Sequence, residues 1–334
     1  MSDSAIVTSN VRRKAMGPAF LVPLVVAVAL FPLLSGSSYV QNVGTLGLTF
    51  AVLATGLNLV FGYAGLLSFA QIGFWGIGAY VSALCTVNFG WSPWLAFPAG
   101  GAFAAITALL VGIPAMRVSR PAFVIVSLTF TLLTGLLSRS WVEVTRGPLG
   151  IPGLPAPSLD FQGAVMVDGH DPAVFYCIML AFAVLAIGIM YAIVRSPIGR
   201  IMLAVNQNEV LARSQGIRAK HYQLLAFVIA ALFTGMAGGL YSFHLSIVDP
   251  TIFDSYYNEM LLIIVIVGGA GNFWTVILSS FVFTTIPELL RFSPELRMVL
   301  FGLVLIVVAL MLPGGIGGYL QTRRVERLRR EMRP

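Results

Sequence analysis

Few side chains in this sequence have the type and spacing needed for acid–base or metal chemistry. The segment DGHDP (168–172) sets His170 between two carboxylates, an arrangement that could hold a metal ion. Its glycine and proline favour a turn instead, because clusters of Asp, Gly and Pro commonly form one. The remaining histidines, His221 and His244, leave too few imidazoles for a catalytic metal centre. We therefore expect no metal site and no catalytic group, and a membrane-embedded enzyme is the least favoured class.

The glycine-rich stretches do not have the spacing of a phosphate-binding loop. GYAG (62–65), GGAG (268–271) and PGGIGG all lack the Lys-Ser/Thr pair that follows the glycines in a nucleotide-binding loop. Glycines in apolar sequence more plausibly permit close helix approach or breaks in the backbone. We expect this chain to bind no cofactor.

Two amide side chains, Asn58 and Gln71, lie in apolar sequence on either side of GYAG. Gly62 and Gly65 could interrupt a helix there, and unwound backbone is acceptable in a bilayer only where protein or a water-filled cavity supplies partners. We interpret these four residues as candidates for a translocation path. Alternatively, Asn58 and Gln71 bond across helices and hold the bundle together. A later cluster echoes GYAG and supplies further candidates: Gly268, Gly269 and Gly271.

The elements that must position these residues are membrane helices. Hydrophobic residues make up 58% of the chain and charged residues 10%, and the mean hydropathy is +0.91, whereas soluble domains carry about 25% charged residues. A spanning helix needs about 20 apolar residues, and we predict an all-α polytopic protein of about ten spans, with Gly-rich segments that are broken or re-entrant. The predicted spans lie near 17–35, 43–62, 67–87, 93–115, 121–138, 173–194, 223–245, 257–270, 272–290 and 296–312.

The distribution of Lys and Arg predicts the orientation of the spans, because these residues concentrate in cytoplasmic loops. With both termini cytoplasmic, all but four of the 20 fall inside, the exceptions being Arg139, Arg146, Arg291 and Arg297. Topology thus explains the net charge of +7, and nucleic acid need not be invoked. We expect a single membrane domain over 1–334, comprising a cytoplasmic N-terminal segment (1–16), a bundle (17–312) with an external loop (139–172) and a cytoplasmic loop (195–222), and a basic cytoplasmic tail (313–334). A cleaved signal peptide at 17–35 is the less favoured alternative, since three prolines interrupt a long apolar run.

The cytoplasmic loop has helix start and stop signals of its own. Ser196 and Pro197 predict an N-cap and first turn for a helix that runs through Val205. Asn206 then reads as a second cap, followed by a helix at about 207–215 that ends at Gly216 in the left-handed conformation. The second helix is too short to be stable alone in water. It must dock on something, unless the segment is simply a solvated loop.

Four stretches, in order, resemble one family. They are GLNLVFGYAGLLSFAQIGFWGIGAYVSAL (56–84), TRGPLGIPGLP (145–155), GRIMLAVNQNEVLARSQGI followed by LLAFVIAALFTGMAGGLYS (199–242), and VGGAGNFWTVILSSFVFTTIPELLR (268–291). By these stretches the chain resembles the permease subunits of branched-chain amino acid ABC importers, and specifically the M-type subunit.

The resemblance implies several partners. They are a second, H-type permease subunit, two ATP-binding subunits that carry the ATP and Mg²⁺, and a periplasmic substrate-binding protein, all at a bacterial inner membrane. In this picture the helix at 206–217 seats in a groove of the ATPase, and we expect Glu209, Ala212 and Gly216 to be central to docking. The full set of coupling candidates is Gly199, Arg200, Asn206, Asn208, Glu209, Ala212, Gly216 and Ile217. The family's Glu-Ala-Ala signature is imperfect here, since Val210 and Leu211 follow Glu209.

Arg146 is the external candidate, because it could attract a substrate carboxylate or dock the binding protein. Permeases of this type are associated with leucine, isoleucine and valine, but also with urea or short amides and with aromatic acids. The sequence of the helices does not distinguish these substrates. A self-sufficient channel or secondary carrier is the alternative class, although we find no chain of intramembrane carboxylates that could relay protons.

Overall fold

The computed structural model describes residues 18–161 and 164–289, with side chains for 22–158 and 168–286. The tenth predicted span at 296–312, the N-terminal segment and the basic tail lie outside these residues. Within them, six helices are long and apolar enough to cross a membrane. They are Ser38–Tyr63, Gln71–Phe89, Pro93–Ala115, Arg120–Ser140, Pro172–Arg195 and Ala219–Leu245. The apolar helices Val22–Ser35, Ser255–Gly268 and Phe273–Ile286 are shorter.

The described helices follow in this order along the chain: α1 Pro18–Ser35, α2 Ser38–Asn58, α3 Gln71–Phe89, α4 Pro93–Ala115, α5 Arg120–Ser140, α6 Val142–Thr145, α7 Pro172–Arg195, α8 Pro197–Gln207, α9 Glu209–Ser214, α10 Ala219–Leu245, α11 Ser255–Gly268 and α12 Phe273–Leu289. A π-helical turn, Leu59–Tyr63, extends α2.

The centre of the bundle is α2, which is buried over nearly its whole length and packs against α7, α10 and α12. The helix α10 also packs closely on α3 and α4, because small residues face one another. A Cβ at Gly78 of α3, for example, would collide with the backbone of Gly235 in α10. Leucine, isoleucine and phenylalanine side chains on α4, α5 and α7 point outward instead. These outward faces are suited to contact with lipid tails.

The connections fall at two ends of the bundle. One end, here called the basic end, holds residues 59–70, 116–119, 196–218 and 269–272. The opposite end, here called the hairpin end, holds residues 36–37, 90–92, 141–161, 164–171 and 246–254. Ion pairs between connections support this grouping. Arg120 contacts Glu209 at the basic end. At the hairpin end, Arg139 Nη2 lies 3.2 Å from Asp254 Oδ1.

The segment between α5 and α7 is more structured than a plain polar loop. It contains α6, a 3₁₀ turn at Gly147–Leu149 and three short strands. Strand β1 (Ile151–Pro152) pairs antiparallel with β4 (Ile247–Val248), which follows α10. Strands β2 (Leu159–Phe161) and β3 (Ala164–Val167) form an antiparallel hairpin. The hairpin end is therefore tied to the helical bundle through the pairing of β1 with β4.

Candidate coupling and translocation site

The first break, a non-helical stretch, joins the spanning helices α2 and α3 at the basic end. After the π-helical turn the backbone is not helical from 64 to 70, and Gly65 has φ of +76°. Two hydroxyls of α5 satisfy this backbone, since Ser127 Oγ accepts from Phe69 N at 3.0 Å and Thr131 Oγ1 donates to Phe69 O at 2.8 Å. The backbone of Phe69 thus finds its hydrogen bonds inside the protein.

The second break, residues 269–272, separates α11 from α12 and touches the first. Asn58 Oδ1 accepts from Gly271 N at 2.8 Å, and Asn58 Nδ2 donates to Asn272 O at 3.4 Å. A Cβ at Gly62 would collide with Gly271 N, so only glycine permits this approach. The sequence predicted both breaks separately, and the structure brings them together at the basic end.

Segment 195–222 contains the two short helices expected, with different boundaries. The first helix, α8, runs two residues further than predicted, to Gln207, and Ser196 Oγ caps it by accepting from Ile198 N at 3.1 Å. The second helix, α9, is capped by Asn208, whose Oδ1 accepts from Leu211 N at 3.0 Å. The prediction of Asn206 as the second cap is therefore wrong. Glu209 is consequently the first residue of α9.

Asn206 instead connects the short helices to the first break. Its Nδ2 donates to Gly62 O at 2.8 Å, and its side chain lies against Gly65, where a Cβ would sit 2.6 Å from Asn206 Oδ1. Gly62, which accepts this hydrogen bond, also lies against Gly271 of the second break. Asn206 therefore links α8 to the place where the two breaks meet.

The C-terminus of α9 is closed by Gly216, which has φ of +79° as its position in the sequence predicted. Gly216 N donates to Arg213 O at 2.9 Å, and Ile217 N donates to Ala212 O at 3.1 Å. A small apolar cluster, formed by Ala212, Ile217 and nearby Val205, holds α9 against α8 and α10. Ala212 is 5% exposed and so positions α9 without reaching a partner.

The carboxylate of Glu209 forms ion pairs within the chain. Its carboxylate accepts from Arg120 Nη2 at 3.1 Å and from Arg213 Nη2 at 2.6 Å, and Arg120 also reaches Val205 O at 3.4 Å. The ion pair ties the start of α9 to the start of α5. The other two candidates in the segment are Gly199, which is buried at the turn from α7, and Arg200, which is exposed.

The apolar side chains of α9 that face outward are Val210 and Leu211, which are 80% and 59% exposed. Sequence reasoning did not select them, although both occupy the alanine positions at which this chain departs from the family signature. An exposed apolar pair on a six-residue helix is the kind of surface that a partner protein covers.

Gln71 opens α3 and bonds across the bundle, because Thr234 Oγ1 of α10 donates to its Oε1 at 3.0 Å. Its Nε2 and the indole nitrogen of Trp75, one turn along the same helix, are buried without a hydrogen-bond partner among the described residues. Buried donors of this kind are unusual. Sequence reasoning passed over Trp75 because nothing in its apolar surroundings marks it.

At the hairpin end, Arg146 is exposed and has φ of +60°, unusual for a residue with a side chain. The DGHDP segment forms the predicted turn: Asp168 Oδ1 accepts from His170 N at 3.0 Å, and Asp171 Oδ1 caps α7 by accepting from Ala173 N at 3.0 Å. The hydrogen bonds from His170 lower the pKa of Asp168 below its ordinary value. No metal-binding cluster of three or more such side chains occurs in the described part of the chain.

Comparison with known proteins gives consistent matches over most of the chain. Residues 39–309 match the family of permease components of the branched-chain amino acid transport system. The high-affinity branched-chain amino acid transport system permease protein LivM of Escherichia coli (strain K12) is 31% identical, over 93% of this chain and 76% of its own length. The LivH permease protein of the same strain is 27% identical, over 84% of this chain and 95% of its own length. No solved structure matches the chain.

Proposed function

The chain belongs to the family of branched-chain amino acid transport permease components and is a multi-pass membrane protein; we propose that it imports branched-chain amino acids using ATP hydrolysed by separate subunits. It pairs with a second permease subunit, resembling the LivH proteins, and with two ATP-binding subunits that hold ATP and Mg²⁺. A periplasmic binding protein delivers the substrate. The assembly lies in a bacterial inner membrane.

The proposal places the basic end in the cytoplasm. This end carries most of the described Lys and Arg side chains, among them Arg195, Arg213 and Lys220, as the bias toward cytoplasmic loops requires. The hairpin end is then periplasmic. Its exposed Arg146 is a candidate contact for the binding protein or for the substrate carboxylate.

The observation that carries the proposed mechanism is the hydrogen bond from Asn206 to Gly62 O. It links a short, capped pair of helices to the place where the first and second breaks meet. When the ATPase moves α9, the movement passes through α8 and Asn206 to Gly62, and from there to Gly271. A path opened between the two breaks would also hydrate the unpartnered nitrogens of Gln71 and Trp75.

The exposed apolar pair supplies the first test. We expect Val210→Glu with Leu211→Glu to abolish co-purification of the ATP-binding subunits, because two carboxylates replace the apolar surface that the partner covers. Both side chains are exposed, so the variant should fold. Leu149→Glu, at an 84% exposed leucine of the hairpin end, is the matched control and should retain the ATP-binding subunits.

The measurement is affinity purification followed by substrate uptake into vesicles with and without internal ATP. Uptake by the chain alone, without ATP, would instead identify a channel or secondary carrier. The substrate is tested by competition: leucine, isoleucine and valine should compete for uptake, whereas urea, short amides and aromatic acids should not.

A further inference from the structure

A cavity of about 320 Å³ opens at the basic end, beside the short helices. It lies between the turn that joins α4 to α5, the helix α9 and the first residues of α10. Four basic side chains and one carboxylate line it, which gives a formal charge of +3. They are Arg117, Arg120, Arg213, Lys220 and Glu209.

Two of the four basic side chains already form ion pairs, and two do not. Glu209 already accepts hydrogen bonds from Arg120 and Arg213. Arg117 and Lys220 are exposed, and neither forms an ion pair with any residue in the described ranges. The cavity therefore keeps two positive charges available for an anion.

A buried amide points to a ligand with acceptor oxygens. Gln223 lines the same cavity and is 4% exposed, yet its Nε2 has no hydrogen-bond partner among the residues that the structure describes. A buried donor left without an acceptor costs about 1–3 kcal/mol. An oxyanion held by Arg117 and Lys220 would supply the missing acceptor.

The outer faces of the neighbouring helices point to the source of that anion. Leu110 and Ile113 on α4 and Ile125 on α5 are exposed apolar side chains within two turns of the cavity. Acyl chains can lie along these faces while a headgroup reaches the basic side chains, as basic pockets between membrane helices do with anionic lipids. We propose that this cavity binds the phosphate of an anionic phospholipid, with its acyl chains along α4 and α5.

The proposal requires that the chain lie in a bilayer and is independent of the substrate and of the ATPase. The test uses the full chain in detergent, titrated with phosphatidylglycerol or phosphatidylcholine and examined by native mass spectrometry. We expect phosphatidylglycerol to bind about thirtyfold more tightly, since Arg117 and Lys220 each contribute roughly 1 kcal/mol near a membrane surface. Arg117→Gln with Lys220→Gln should remove this preference, whereas Arg218→Gln, an exposed arginine outside the cavity, should keep it.

A second variant separates hydrogen bonding from charge: Gln223→Leu should weaken phosphatidylglycerol binding without altering the charge. Equal binding of the two lipids would overturn the proposal, as would an unchanged preference in the double variant. Displacement of the lipid by millimolar inorganic phosphate would assign the cavity to a free anion. The assembled complex carrying the double variant is also affinity-purified: loss of the ATP-binding subunits with the lipid preference intact would assign the cavity to an acidic segment of the ATPase. Either this result or displacement by phosphate rejects the lipid site.

Discussion

At the scale of single residues, Gly62 is the point on which the proposed mechanism depends most. Its carbonyl oxygen accepts from Asn206, and its α-carbon faces Gly271 of the second break so closely that a methyl group would overlap the backbone there. The position was predictable as part of a glycine-rich break. Its partners were not, because hydrogen bonds between residues more than a hundred positions apart leave no periodic pattern in the sequence.

Gly62→Ala should therefore force the two breaks apart and strongly reduce uptake. Gly188→Ala is the matched control, because it lies within α7 and no described atom is within 4 Å of the added methyl; alanine there favours the helix by about 1 kcal/mol. Uptake into vesicles and thermal unfolding in detergent are measured for both variants. Normal uptake by Gly62→Ala would show that the breaks need not touch.

For Asn206 and Asn208, the local sequence does not determine which residue caps α9. Both are asparagines just before a short helix, and either could cap it. A tertiary hydrogen bond decides the outcome, because Asn206 Nδ2 is committed to Gly62 O and α8 continues to Gln207. The sequence supports a cap in this segment and cannot select the residue that provides it.

At the scale of elements, α9 is a six-residue helix that local forces alone would not hold. Asn208 caps its start, Gly216 closes its end, and the ion pairs of Glu209 and the packing of Ala212 fix it to the bundle. These contacts make α9 a rigid extension of α8. A rigid element can transmit displacement, whereas a solvated loop would absorb it.

We expect Asn208→Ala to loosen α9, because loss of a capping side chain costs about 1 kcal/mol. Hydrogen exchange of the α9 amides should then be roughly fivefold faster, with little change in α10. Asn208→Ser, which retains a capping oxygen, should restore most of the protection. Identical exchange in the wild type and Asn208→Ala would mean that the cap does not stabilise this helix.

At the scale of the whole molecule, the apolar runs predicted the order and approximate extent of the described helices. The boundaries moved where irregular backbone intervenes: α3 begins at Gln71 instead of 67, after the non-helical residues of the first break. The sequence could not predict the folded hairpin end, whose strand β1 pairs with β4 from the far side of α10. Pairing at such separation depends on how the helices pack, which composition does not specify.

The central claim is that movement of the short helices α8 and α9 reaches the two breaks through Asn206. The most direct measurement compares uptake and ATP hydrolysis in the same vesicles for the assembled complex carrying Asn206→Ala or Gln207→Ala. Gln207 is the adjacent exposed residue at the end of α8 and serves as the control.

For Asn206→Ala we predict retained assembly and ATP hydrolysis with uptake reduced about tenfold, because the carbonyl of the buried Gly62 loses this partner, which weakens the link by roughly 1–3 kcal/mol. Gln207→Ala should match the wild type. Full uptake by Asn206→Ala, or a loss of uptake only in proportion to lost assembly, would contradict the account.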